Sequence, residues 1–328
     1  MRIMIFDVPA ENGGALTILN QYYDEAINNQ ENEWIFVIST PKLIQHENVK
    51  ILNYPWTKKS WFHRLYFDTC VASKLVDLHN VDEVISLQNV IVPNVDVKQT
   101  LYVHQSLPFV EKRYSLGEDL KFWVYQNIIS RKIFKSIQSA DSVIVQTKWM
   151  MNAILNKVNV DESKFLIQQP KLNIQVKKIY KRYEGDNQLF FYPSSGMIYK
   201  NHEVIVNASK LLMSQGINNF KIIFTLRGDE NAHIIKLKEY VIAEKLPIEF
   251  IGPIDINLVY DFYSRSTLIF ASYIETFGLP MLEAKMHMSP VIATDCPFSH
   301  EILDGYERVS FFDPFSSHNL AKLIEKSL

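Results

Sequence analysis

The stretch YIETFGLPMLEA, residues 273–284, sets two glutamates eight positions apart around a Phe-Gly-Leu-Pro turn. Separation alone carries no chemistry. Glu25 and Glu33 stand equally far apart in EAINNQENE, which reads as a solvated helix end and loop. The surroundings decide. STLIFAS reads as a strand ending near Ser272, so Glu275 falls in the loop after it. Pro280 suits the first turn of a following helix, where its missing N–H costs nothing, and Gly278 permits a tight bend before it. Glu283 then lies about one turn into that helix. The two carboxylates would flank the free backbone N–H groups of a helix start, and those groups with the helix dipole suit a phosphate. The paired oxygens of Glu283 have the geometry to accept from both hydroxyls of a ribose, and Glu275 could accept from the hydroxyls of a sugar.

Two further features have the same character. Asn12-Gly13-Gly14 follows the first apolar run and precedes a helical pattern starting ALTILNQYY, so its glycines offer free amides and room for a phosphate or sugar. TLYVHQSLPF puts His104 at the end of another strand.

The elements that must position these groups follow from hydrophobic pattern. RIMIFDV, EWIFVIS, VDEVISL, TLYVH, SVIVQT and KFLIQQ are short runs rich in Val and Ile, separated by stretches with helical spacing. The alternation predicts a parallel sheet with helices on both faces. After a polar, Lys-rich crossing from about Lys171 to Asn187 it repeats, through QLFFYPS, FKIIFTL, PIEFIG, STLIFAS, PVIATD and RVSFF. The expected fold is α/β, with two Rossmann-like, doubly wound domains over residues 1–170 and 171–328 facing a cleft. Ligands of such sheets bind beyond the carboxyl ends of the strands, where most of the candidate groups fall.

ETFGLPMLEA followed by PVIATD resembles the E-x7-E segment of the retaining glycosyltransferases of family 4, which have the GT-B fold. The likeness runs upstream through FIGPIDINLVYDFYSRSTLIFAS, covers about residues 188–315 well and the amino-terminal half more loosely. The resemblance implies a nucleoside diphosphate sugar as co-substrate, with an acceptor-side first domain and a donor-binding second. It gives Lys200 of YKNH to the donor diphosphate, a role that suits a compact ammonium. It adds Gly13, Gly14, Gly228, Thr276, Phe277, Gly278 and Leu279 to the donor site, leaves Glu283 on the ribose, and sets Glu275 and His104 against the transferred sugar. With Lys200, these last two are the expected catalytic groups. The activity implied is retaining transfer of a hexose to a glycan or lipid-linked oligosaccharide, in bacterial envelope polysaccharide such as O-antigen or capsule.

This chain also departs from the family. Ser195 stands where many relatives carry an arginine five residues before the lysine, which shifts diphosphate neutralisation toward Lys200 and backbone amides. Met288 and Ser289 replace a common glycine before the Pro-Val strand. FTLRGDE offers Gly228 alone where a Gly-x-Gly loop is frequent, with Arg227 beside it either meeting phosphate or serving as an ordinary loop charge. The chain stops soon after SSHNLAKLIEKSL, where relatives commonly continue into a helix crossing back to the first domain, so a shorter crossing or a trimmed chain is expected.

Composition bounds the alternatives. With 34 basic and 36 acidic residues the formal charge is −2, which leaves no global footprint for nucleic acid. Cys70 and Cys296 lack metal-ligand or redox spacing and read as reduced thiols. No Asp-x-Asp pair or His/Cys cluster suggests a metal, so neither metal nor other cofactor is expected, and no P-loop or G-x-G-x-x-G supports phosphoryl or hydride transfer. No signal peptide and no long apolar run is read, which favours the cytoplasm. YPWTKKSWFHRLYF interleaves Trp56, Trp61 and Phe62 with Lys58, Lys59, His63 and Arg64; LKFWVYQNIISRKIFKSI adds Lys121, Arg131, Lys132 and Lys135. Residues 54–67 and 120–138 thus suit contact with the inner face of a membrane, against the blander reading of a core helix with a basic face. A nucleotide-sugar epimerase and a non-catalytic sugar-binding protein remain the competing classes.

Overall fold

A computed structural model describes residues 1–11, 13–171, 174–182 and 187–328. Asn12 and parts of the expected crossing lie outside the described residues. The chain divides into two compact units, Met1–Leu172 and Asn173–Leu328.

The first unit runs β1 (Arg2–Asp7), α1 (Gly13–Asn28), β2 (Glu33–Ile38), β3 (Val49–Asn53), α2 (Trp61–Tyr66), α3 (Ala72–Leu78), β4 (Glu83–Ser86), β5 (Lys98–Tyr102), α4 (Leu120–Val124), α5 (Ser130–Ser139), β6 (Ser142–Val145), α6 (Lys148–Leu155) and β7 (Phe165–Ile167). Its strands are parallel, in the order β3-β2-β1-β4-β5-β6-β7 among the described residues. The order reverses direction between β1 and β4, the point where such a sheet opens a crevice. RIMIFD is buried almost throughout because helices cover both of its faces. Ile3, Ile5 and Phe36 pack on the α1 side, and Met4, Phe6 and Val37 pack with Phe67 and Leu75 on the other. The edge strand β3 was not anticipated. In VKILN, Val49 and Ile51 are buried while Lys50 and Asn53 are exposed, so its apolar signal is an alternation too short to stand out. Five-residue π-helical segments extend α2 and α4, at Phe67–Val71 and Tyr125–Ile129.

The second unit runs β8 (Gln188–Tyr192), α7 (His202–Ser214), β9 (Phe220–Phe224), α8 (Ala232–Ala243), β10 (Ile248–Phe250), α9 (Ile256–Tyr263), β11 (Thr267–Phe270), α10 (Leu279–Met286), β12 (Val291–Thr294), α11 (Pro297–Ile302), β13 (Val309–Phe312) and α12 (Ser317–Ser327). Its parallel order is β10-β9-β8-β11-β12-β13, reversing between β8 and β11. Side-chain caps fix several helix starts: Asn231 accepts from the Ile234 amide, Asp255 from Asn257 and Leu258, and Ser316 from Asn319. Each cap spares a helix start an unpaired N–H.

Candidate functional site

In the second unit the loops after β8 and β11 meet because those strands are neighbours. The chain leaves β8 through Pro-Ser-Ser-Gly-Met, makes a 3₁₀ turn over Ile198–Lys200 and enters α7 through Asn201, whose backbone is left-handed at φ 58°. Asn tolerates that conformation better than most residues, and its side-chain amide donates to the Pro314 carbonyl at 2.6 Å. The Tyr192 hydroxyl donates to the Lys200 carbonyl at 2.7 Å, and the Tyr273 amide to the Tyr199 carbonyl at 3.2 Å. These ties bring Lys200 and Glu275 into a direct ion pair, each side chain 17% exposed. Burial works against the Lys200 ammonium, but Glu275 and then Tyr199 outweigh it, holding the amine above its ordinary value.

From Glu275 the chain passes Thr276 and the buried Phe277 to Gly278, the residue before α10, at φ 94°. A Cβ there would meet only the movable Met281 Cε (2.5 Å) and the Phe270 ring at 3.4 Å, so it is the left-handed backbone that requires glycine. Leu279 and Pro280 open α10. One turn on, a Glu283 oxygen accepts from the Tyr263 hydroxyl at 2.9 Å. Burial holds the Glu283 carboxyl above the usual range, and the Tyr263 bond partly offsets it. The His287 ring donates through Nδ1 to the Glu283 carbonyl at 2.8 Å.

Beyond the carboxyl ends of β8, β9 and β10 lies a cavity of about 400 Å³ whose lining includes Ser194, Thr225, Leu226, Pro253, Ile254 and Val259. The expected Gly228 flanks it at φ 93°, but its amide already donates to Glu230 at 3.0 Å, as the Arg227 amide does at 2.6 Å. The exposed Arg227 side chain pairs with Asp229 at 3.0 Å and also lines this cavity. Ser194, Thr225 and Glu230 were missed by the sequence reading. Their only sequence signal was position just past a strand, which many residues share.

The first unit holds the other candidates. Gly13, at φ 59°, and Gly14 open α1, and a Cβ at either would meet no heavy atom within 4 Å. His104 lies two residues past β5, its amide donating to Asn89 Oδ1 at 2.9 Å and its ring set edge-on to Tyr102. Burial pushes the imidazole down to about 4, so it is neutral at pH 7. An unanticipated group is Asp7, the last residue of β1, fully buried with neither carboxyl oxygen in a well-aligned hydrogen bond, although the Ala10 amide lies close enough to act on it. Burial lifts it to about 8, against the pull of the Ala10 amide, Arg64 and Lys58. Ser39 Oγ and Gln88 Oε1, just past β2 and β4, are likewise buried and unpartnered.

On the surface of this unit Trp61, Phe62, Leu65 and Tyr66 are exposed, Phe62 at 84%. Trp56, expected to join them, instead packs on Tyr54, Tyr66 and Phe67. Asp68 accepts from both Arg64 (2.9 Å) and Lys132 (3.2 Å), which makes the two basic-aromatic stretches neighbours. Among the described residues no helix is long and apolar enough to cross a membrane.

Comparison with known proteins adds what geometry leaves open. Residues 174–328 match the family model described as Glycosyl transferases group 1. The chain is 24% identical over 234 residues to the O-antigen chain mannosyltransferase RfbU of Salmonella typhimurium, a match covering 68% of this chain and 64% of that protein. It therefore spans less than two thirds of that relative's length. Among solved structures it is similar to a sucrose-phosphate synthase from Thermosynechococcus elongatus (TM-score 0.76, 16% identity, 99% of this chain and 89% of that one). It is also similar to HepE from Anabaena in complex with UDP and glucose (TM-score 0.69, 14% identity, the same coverage). At such identities the likeness establishes the fold. The two parallel α/β sheets fit the GT-B fold, and the second unit carries the match to the group 1 glycosyl transferase model.

Proposed function

We propose that the protein is a retaining glycosyltransferase that moves a hexose from a nucleoside diphosphate sugar to a hydroxyl of a glycan or lipid-linked oligosaccharide, without a metal ion. The observation that carries this reading is the Lys200–Glu275 pair beside the start of α10, with Glu283 one turn further along that helix. Lys200 and the α10 amides meet the growing charge of the leaving diphosphate, the kind of preorganised stabilisation that usually dominates such a step. Glu275 orients the sugar, Glu283 holds the ribose, and Pro253 and Ile254 wall the base pocket. In the first, acceptor-side unit, Gly13 and Gly14 add amides to the phosphate and His104 contacts the transferred hexose. The acceptor oxygen bonds to the anomeric carbon on the face the diphosphate leaves, and the departing diphosphate takes the acceptor proton.

The named activity of the Salmonella relative supports O-antigen or a similar envelope polysaccharide as the product and makes mannose the first hexose to test. UDP in the HepE structure supports a nucleotide donor. We place the enzyme in the cytoplasm at the inner face of the membrane, which Trp61, Phe62, Leu65 and Tyr66 contact with a basic rim from Arg131 and Lys135.

Calorimetric titration of UDP, GDP and ADP, with and without Mg²⁺, tests the reading. One nucleotide binds at micromolar Kd without metal, and Glu283→Ala weakens it at least tenfold, about what one charge-assisted hydrogen bond contributes. Binding of none, or equal binding by the variant, overturns the ribose role. Release of nucleotide from a donor sugar with an acceptor then separates a transferase from a protein that only binds sugar.

A further inference from the structure

The cavity beyond β8, β9 and β10 is built from three loops that hold one another. Asn231 caps α8 through Oδ1, and its Nδ2 donates to the Gly196 carbonyl at 2.8 Å, which ties the loop after β9 to the loop after β8. The Gly252 amide, in the loop after β10, donates to the Leu226 carbonyl at 2.9 Å. Gly196 allows a close approach, since a Cβ there would stand 3.2 Å from the Glu230 Cβ. Glu230 lines the cavity together with Gly196 and Arg227, and the backbone orients its carboxylate. Oε1 accepts from the Arg227 amide at 2.6 Å and Oε2 from the Gly228 amide at 3.0 Å. A carboxylate has about four acceptor positions and no donor, so each oxygen keeps one of them free. Glu230 is only half-buried, which leaves them within reach of a ligand.

The two amides that this loop could have offered to a phosphate are thus already used, and a carboxylate stands in their place with Asp229 beside it. This end of the cavity repels a diphosphate and selects a ligand edge rich in donors. Arg227 adds the opposite polarity: Asp229 holds its Nε at 3.0 Å, and its terminal nitrogens are further donors on the same wall. Leu226, Pro253, Ile254 and Val259 make the remainder apolar, as a flat ring requires. Among the common nucleobases guanine alone sets two neighbouring donors, N1–H and the N2 amino group, beside an acceptor, O6. Uracil places one N–H between two carbonyls, while adenine and cytosine put a bare ring nitrogen next to an amino group. Each of these turns a lone pair toward the carboxylate. We infer that Glu230 reads the donor nucleotide as a guanosine diphosphate, accepting from guanine N1–H and N2–H while Arg227 donates to O6. This rests on the nucleotide-sugar reading above and narrows its donor to a GDP-sugar.

The test is calorimetry on the full chain with GDP, IDP, UDP, ADP and inorganic pyrophosphate. IDP keeps N1–H and O6 and lacks only the N2 amino group, so it isolates the contact that no other base can make. GDP binds at least tenfold more tightly than IDP, UDP or ADP, because a site built to pair a donor rejects the analogue that lacks it. Glu230→Gln brings the ratio of GDP to IDP affinity close to one and leaves pyrophosphate unchanged. Arg227→Ala weakens GDP and IDP alike, several-fold, with their ratio intact; unchanged affinity there removes the O6 contact. If Glu230 served only to brace its own loop, Glu230→Gln would weaken GDP and IDP by the same factor, which overturns the inference. If it held the ribose, native protein would bind GDP and IDP equally and lose affinity for 2′-deoxy-GDP, which also overturns it. Preference for UDP or ADP overturns it while leaving glycosyl transfer standing. Binding of none of the nucleotides removes both.

Discussion

The carboxyl edges of the two sheets are built from the same kind of strand ends and treat their polar groups oppositely. At the edge of the second unit, Lys200 pairs with Glu275, Glu283 with Tyr263, and Ser194 with His202. At the edge of the first, Asp7, Ser39 and Gln88 are buried with oxygens unpartnered. A buried polar group without a partner costs stability, whereas one held by a neighbour is both stable and oriented. The groups around Lys200 are therefore preorganised, already aimed, while Asp7, Ser39 and Gln88 make a local instability next to the switch point of the first sheet.

Lys200→Ala should have the largest effect, because it removes the main cation of the organised edge. Turnover falls by about 10²–10³ in a donor-hydrolysis or transfer assay, on the scale of losing one preorganised donor. A drop in Tm with turnover intact would recast the pair as structural.

Asp7 probes the other edge through pH. Its carboxyl is raised to about 8 when folded, against an ordinary value of 3.8, so between these values the folded state holds a proton that the unfolded chain has lost. Stability of the first unit therefore falls as pH rises from about 4 to about 8, approaching ~1.4 kcal/mol per unit, and levels off above. Asp7→Asn should flatten this slope and raise Tm at pH 8. An unchanged melting profile from pH 5 to 8 would mean that Asp7 is ionised and paired.

Glu275→Gln separates orientation from affinity. Glu275 occupies the ammonium that the diphosphate is proposed to use, so neutralising it should tighten UDP or GDP binding by about tenfold, ~1.4 kcal/mol. Transfer should be lost at the same time. Weaker nucleotide binding by this variant would place the diphosphate elsewhere.

The smallest effect belongs to the surface of the first unit. Trp61→Ser with Phe62→Ser should reduce cosedimentation with phosphatidylglycerol vesicles several-fold, since interfacial aromatics add modestly to electrostatic attraction. Equal binding by the doubly substituted protein would remove the proposed contact.

Much of this was legible in the chain. Runs such as RIMIFD and TLIF declare buried parallel strands, since no other element needs an unbroken apolar stretch so short. The bend at Gly278 and the start of α10 followed from local chemistry alone: a residue without a Cβ and a proline with no N–H to lose. Lys200 and Glu275 could each be singled out, but not their union across 75 positions. That depended on β8 and β11 being neighbours, a matter of strand order that no local pattern encodes. Strand β3 escaped because an edge strand has too few apolar residues to distinguish it from a loop.

By itself, then, the sequence determined most of the strands and helices and where the chain bends between Glu275 and Glu283, because periodicity, turn chemistry and capping act over a few residues. Tertiary structure alone decided that Glu283 leans on Tyr263, that Ser194 lies against His202, and that Asp7 is sealed from water. Those outcomes turn on burial and on neighbours brought from elsewhere in the chain, and the free energy of a charge or a hydroxyl is set by what surrounds it.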